Sequence, residues 1–166
     1  MAQRLGIPLT NFARHRRIDI TIDGADQVAL GSLDLIKGLG GALLREKILA
    51  TASDRMIVVV DETKLAIRLG GDTPLPVEIV SFGWQNVLER LRAIASRARL
   101  RVAGKIPLTT DGGNYIADCT FSEIADPAAL EAQLASIVGV VESGLFIGMA
   151  SKIVVGRFSG VEEIVR

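Results

Sequence analysis

Two short β-branched runs, IDITI at 18–22 and MIVVV at 56–60, each end in an aspartate, Asp23 and Asp61. Between them GALLREKILATAS, at 41–53, is rich in Ala and Leu and sets Leu44, Ile48 and Ala52 at the spacing of one helical face. Strand, helix and strand over this length predict a right-handed crossover in a parallel sheet, whose ligands bind beyond the carboxyl ends of the strands. Asp23 and Asp61 fall at those ends.

Pro74 and Pro76 in DTPLPVEIV break this rhythm. The pattern beyond them predicts strand 77–80, helix 84–98, strand 99–103, strand 114–120, helix 127–137 and strand 140–146. Trp84, Val87, Leu88, Leu91, Ile94 and Ala95 form one stripe of the first helix, while Asp126 as N-cap with Pro127 at the first helical position opens the second. The order βαββαβ is the ferredoxin-like unit. A last strand, 152–155, is expected to return to the first sheet. The predicted fold class is therefore α/β: a partial Rossmann-like parallel sheet with helices over 1–73 and 147–166, and an inserted ferredoxin-like α+β domain over 74–146.

Composition narrows the chemistry. With 166 residues and 49% hydrophobic content the chain can bury a normal core. Its 19 basic and 19 acidic residues cancel, so no overall field draws it to nucleic acid or an anionic membrane, and an anion site has to be built locally. The dense basic run Arg14-His15-Arg16-Arg17 reads as a solvated face before a strand, with a phosphate-binding role as the alternative. Cys119, the only cysteine, has no partner for a disulfide or a zinc knuckle, which fits a reducing cytoplasm and a small buried apolar role. No apolar run reaches the roughly 20 residues of a membrane span. With one histidine, no Ser-His-Asp or Cys-His apparatus is readable.

The densest chemistry lies in DGADQVALGSLDLIKGLGGALLREK, 23–47. Counted from Asp19 as a calcium loop, the third position is Thr21 and the twelfth Leu30, so calcium is rejected. In KGLGGALLREK the lysine precedes the glycines, which breaks the Walker order, and Leu43 occupies the third small position of a dinucleotide fingerprint. A glycine turn feeding a helix N-terminus survives, suited to an anionic or oxygen-rich ligand. Glu46 could be a solvated charge between Arg45 and Lys47, or a general base if partly buried. Asp23 and Asp26 could be turn residues or ligands, and Lys64 a surface lysine or one reaching into the cleft.

With these residues in place, the chain resembles the type A ribose-5-phosphate isomerase family. The matching blocks are IDGAD, LIKG-GGALLREKI, VVVDETK, PLPVEI, TDGGNYI and GVVESGLF, in family order from about Ile7 onward. The resemblance implies a cytoplasmic enzyme, a homodimer through the inserted domain, that interconverts ribose 5-phosphate and ribulose 5-phosphate without metal or organic cofactor. It implies Glu46 as the base that moves a proton through an enediolate, Asp23 as a substrate carboxylate assisting ring opening, and Lys37 as the cation for developing oxyanion charge. Gly24, Ala25, Asp26, Gly38, Leu39, Gly40 and Lys64 complete the implied substrate-binding set. Such a reaction needs those three kinds of group.

Three departures qualify the resemblance. Leu39 stands where the family run is usually glycine, and a positive φ there would cost about 1 kcal/mol or more. Gln27 replaces a common glutamate. The family also opens with a helix, a strand and a Thr/Ser-Gly-rich phosphate-gripping loop, and nothing before Ile18 resembles that loop. Exposed sheet surface and reduced activity are expected to follow. The competing readings are a sugar-phosphate-binding module without turnover and an inactive truncated isomerase.

Overall fold

The structure, a computed structural model, describes residues 2–165. Strand β1 (Ile18–Asp23) leads into short strands β2 (Gln27–Ala29) and β3 (Leu35–Ile36), helix α1 (Leu43–Thr51), β4 (Ser53–Asp61) and β5 (Leu65–Ala66). Next come β6 (Leu75–Ile79), α2 (Trp84–Arg92), β7 (Arg97–Leu100), a small hairpin of β8 (Val102–Ala103) and β9 (Ile106–Pro107), β10 (Tyr115–Thr120), α3 (Pro127–Ala135) and β11 (Val140–Ser143). The chain finishes with β12 (Leu145–Phe146), β13 (Ala150–Arg157) and β14 (Gly160–Val165).

Three four-stranded sheets result. In the first, β1, β4 and β13 are parallel neighbours and β14 closes one edge antiparallel. The predicted crossover is present, with Asp23 and Asp61 as the last residues of their strands. Alternation on β4 buries Met56, Val58 and Val60 against Ile153, Val155 and Phe146, while Ile22 and Val59 stay exposed on the other side.

The second sheet runs β11-β6-β10-β7, antiparallel throughout, which is the ferredoxin-like order. Its core joins Leu75, Val77 and Ile79 to Val87, Leu88 and Leu91 of α2 and Leu134 of α3. Asp126 caps α3 as expected, accepting from the Ala129 amide at 2.9 Å. Cys119 is fully buried, and desolvation pushes its thiol up to about 12, so it carries no thiolate near neutral pH. The third sheet, β12-β3-β2-β5, joins the other two and has no counterpart in the sequence pattern, because strands of two or three residues carry no readable period.

Three expectations need correction. Helix α2 stops at Arg92, and 97–100 rather than 99–103 forms the next strand. The expected strand 140–146 divides at Gly144, with β11 in the second sheet and β12 in the third. The buried face of α1 is Leu43, Lys47 and Ala50, while Ile48 is exposed. A lysine displaces the apolar stripe because its ammonium finds partners inside: Glu142 at 2.7 Å, Glu131 at 3.1 Å and the Phe146 ring, its centroid 5.2 Å away.

Candidate active site

Four segments converge beyond the carboxyl end of β1. The β1–β2 turn brings Asp23 to Asp26, the end of β3 brings Lys37, the glycine turn follows it, and the first turns of α1 bring Glu46. Asp23, Gly24, Ala25, Asp26, Lys37, Gly38, Gly40 and Glu46 line a cavity of about 190 Å³. Glu46, Lys37 and the aspartates are thus brought together as the sequence suggested.

Lys37 is the centre of this cavity. Its side chain is buried, and Nζ lies 2.9 Å from Asp23 Oδ2, 3.3 Å from Glu46 Oε2 and 2.5 Å from the Gly24 carbonyl oxygen, to which it donates. The Phe146 ring covers it, with the centroid 5.4 Å from Nζ. A buried ammonium needs such company, since its desolvation otherwise costs several kcal/mol. Glu46 is partly buried, and its Oε2 pairs with Lys37 by charge yet takes part in no hydrogen bond. One oxygen of this carboxylate is therefore buried against the ammonium, and Glu46 lines the cavity, which sets a carboxylate within reach of a bound ligand.

The glycine turn is held from both sides. Gly38, at φ 101°, lies so close to Leu43 that a Cβ would meet its side chain at 2.6 Å. Asp26 Oδ2 accepts from the Leu39 amide at 2.9 Å. From the second sheet's side, Arg101 Nη1 donates to the carbonyls of Gly38 and Leu39 at 3.1 and 2.9 Å, and Asp118 grips the same guanidinium through Nε at 2.9 Å and through Nη2.

Two residues expected at the site fall outside the cavity lining. Leu39 contributes its backbone while its side chain is exposed. Lys64 ends a short 3-10 turn, Glu62–Lys64, after β4. Asp61 caps that turn: hydrogen bonds from Thr63 hold its carboxyl below the usual carboxylate range. Among the described residues, no cluster of His, Cys, Asp and Glu could hold a metal ion.

Both substitutions at family positions have local explanations. Among described residues other than glycine only Leu33 has positive φ, so Leu39 carries no left-handed strain. Leu39→Gly should therefore gain nothing and lower stability by about 0.5–1 kcal/mol through added chain entropy, read as the shift in urea midpoint. Gln27 donates to the Gly70 carbonyl at 3.0 Å and accepts its amide at 2.8 Å, a reciprocal pair that an ionised glutamate could not make.

Sequence reading missed Arg101, Asp118, Lys47, Phe146 and Gly144. Phe146 and Gly144 lie in the block GVVESGLF, whose order carried their signal without a role. Arg101 belongs to an alternating Arg97, Arg99, Arg101 run that reads as solvated edge; only the fold shows which one turns inward.

Comparison with known proteins supplies the family. The family model for ribose 5-phosphate isomerase A (phosphoriboisomerase A) matches residues 1–160. Ribose-5-phosphate isomerase A of Gloeobacter violaceus is 55% identical over 163 residues, covering 98% of this chain and 71% of the relative. Its counterpart from Gluconobacter oxydans is 54% identical over 165 residues, with the same coverage. Among solved structures, ribose 5-phosphate isomerase from Plasmodium falciparum superposes with TM-score 0.93 at 38% identity, covering 99% of this chain and 73% of that one. A D-ribose-5-phosphate isomerase in complex with phospho-erythronic acid gives TM-score 0.93 at 39% identity, covering 99% and 72%. A cavity built on a carboxylate–ammonium–carboxylate cluster, set in this fold and matched along this length, leaves one assignment: the chain belongs to the ribose 5-phosphate isomerase A family.

Proposed function

We propose that this chain interconverts D-ribose 5-phosphate and D-ribulose 5-phosphate by proton transfer through an enediolate, with Glu46 as the base. The observation that carries the reading is the Glu46 carboxylate, its Oε2 3.3 Å from the buried ammonium of Lys37, inside one cavity with Asp23 and Asp26.

In the open-chain aldose, Glu46 takes the proton from C2. The electron pair of that bond forms C1=C2, and the carbonyl electrons move onto O1. Lys37 faces that oxygen, and a preorganised, buried cation stabilises charge that develops only during reaction. Glu46 returns its proton to C1 while the hydroxyl proton of O2 passes to O1, leaving the ketone at C2. Asp23, already paired with Lys37, assists opening of the cyclic sugar, and Asp26 fixes the glycine turn whose backbone meets the substrate. Lys64, at the end of the turn after β4, is a further substrate-binding residue in this reading.

The Glu46 carboxylate and the Lys37 ammonium side by side in the cavity favour turnover over a binding module, and the relatives are named for the isomerisation. The division into a Rossmann-like unit, 1–73 with 147–166, and a ferredoxin-like unit, 74–146, belongs to the same proposal. So does a cytoplasmic homodimer through the second unit, for which sedimentation as a monomer at micromolar concentration would count against the dimer.

Incubation with ribose 5-phosphate in D₂O tests the chemistry. Ribulose 5-phosphate carrying deuterium at C1 is expected, at a rate unchanged by a chelator. No ketose at high enzyme concentration would overturn the reading.

A further inference from the structure

Arg101 lies outside the cavity lining, yet it touches two consecutive carbonyls of the turn that borders the cavity. Each peptide is trans, so a carbonyl and the following N–H point in opposite directions. The Gly38–Leu39 peptide illustrates this: its carbonyl faces Arg101 and its N–H faces Asp26. The next peptide gives its Leu39 carbonyl to Arg101 and carries the Gly40 N–H on the side away from Arg101. Gly40 lines the cavity, and its N–H has no protein acceptor among the described residues.

Building on the proposed isomerase reading, we infer that Arg101, locked by Asp118, is a positioning residue: it orients the Leu39–Gly40 peptide so that the Gly40 N–H is held ready to donate to a substrate oxygen. The guanidinium suits this because its rigid fork binds the Asp118 carboxylate with two nitrogens and leaves the third, Nη1, for both carbonyls at once. Gly40 has no positive φ, and no heavy atom lies within 4 Å of where a Cβ would stand on it, so nothing local to that residue fixes the peptide. The fixing comes from β7's far end and β10, in the second sheet. Arg101 thereby ties the ferredoxin-like sheet to the catalytic turn.

The test compares Arg101→Gln, Arg101→Lys and Asp118→Asn with the parent chain in steady-state kinetics, normalised to sites titrated with phospho-erythronic acid. Misplacing a donor costs on the order of 10-fold to 100-fold in kcat, with KM changed far less. That split is expected for Arg101→Gln, and a smaller loss for Asp118→Asn. Arg101→Lys should not rescue, because a single ammonium cannot span the carboxylate and both carbonyls. Amide exchange at Leu39, whose N–H is bonded to Asp26, should accelerate in Arg101→Gln while β4 and β13 exchange as in the parent. Parent-like kcat in Arg101→Gln, or full rescue by lysine, overturns the inference. If the parent itself does not isomerise ribose 5-phosphate, the functional reading falls on that result, and the exchange data still decide here: an unchanged rate at Leu39 overturns the positioning role.

Discussion

Replacing Glu46 with Gln is expected to lower kcat by about 10²–10⁴-fold, the usual contribution of a general base, while the protein stays folded and phospho-erythronic acid still binds. The amide keeps the shape of the carboxylate but cannot take a proton from carbon. Lys37 loses one of two ionic neighbours and keeps Asp23 at 2.9 Å and the Gly24 carbonyl at 2.5 Å, so its position survives. Stability should change little, because Glu46 forms no helix cap and its Oε2 gives up no hydrogen bond. Turnover assays beside thermal melts check this. A Gln variant within tenfold of the parent would mean that another group moves the proton, and no other carboxylate beside Lys37 except Asp23 could take the part.

How much of this was readable in the sequence depends on the range of the interactions. Asp126 with Pro127, the α2 stripe and the β1–α1–β4 crossover are local or periodic, and the structure contains them. Asp23, Asp26, Lys37 and Glu46 stood within one short span, so their convergence required only a turn and a helix start. Lys47 shows where such reading fails: its partners Glu131 and Glu142 lie more than eighty residues away, and without them a lysine on a buried helical face contradicts every local rule. Arg101 is similar, since its carbonyl acceptors are more than sixty residues upstream. The break at Gly144 was hidden because VVESGLF is strand-like on both sides; what divides it is the approach of another backbone.

That approach leads to the second large expected effect. Gly144→Ala should destabilise the fold and depress activity together. A Cβ at 144 would lie 2.2 Å from the Lys37 carbonyl oxygen, 3.1 Å from Pro76 Cδ and 3.2 Å from the Pro76 carbonyl oxygen. None of these is a flexible side-chain end, so backbone or ring must move. Gly144 is also bonded on both sides: its N–H donates to Pro76 O at 2.7 Å, and its carbonyl accepts the Lys37 amide at 2.9 Å. Space rather than torsion sets the constraint, for Gly144 is not among the glycines of positive φ. Overpacking of this kind costs about 1–3 kcal/mol, and each weakened hydrogen bond adds about 0.5–1.5 kcal/mol. The residue pushed is Lys37, whose ammonium the proposed reaction needs in place, and a shift of about 1 Å there costs roughly 10²-fold in rate. Gly156→Ala serves as the control, since its Cβ would meet only Val60 O at an ordinary 3.8 Å. Urea midpoints and kcat for the two variants give the comparison: parent-like values for Gly144→Ala would show that the Lys37 backbone yields freely, and that the junction between β11 and β12 does not set the position of the cation.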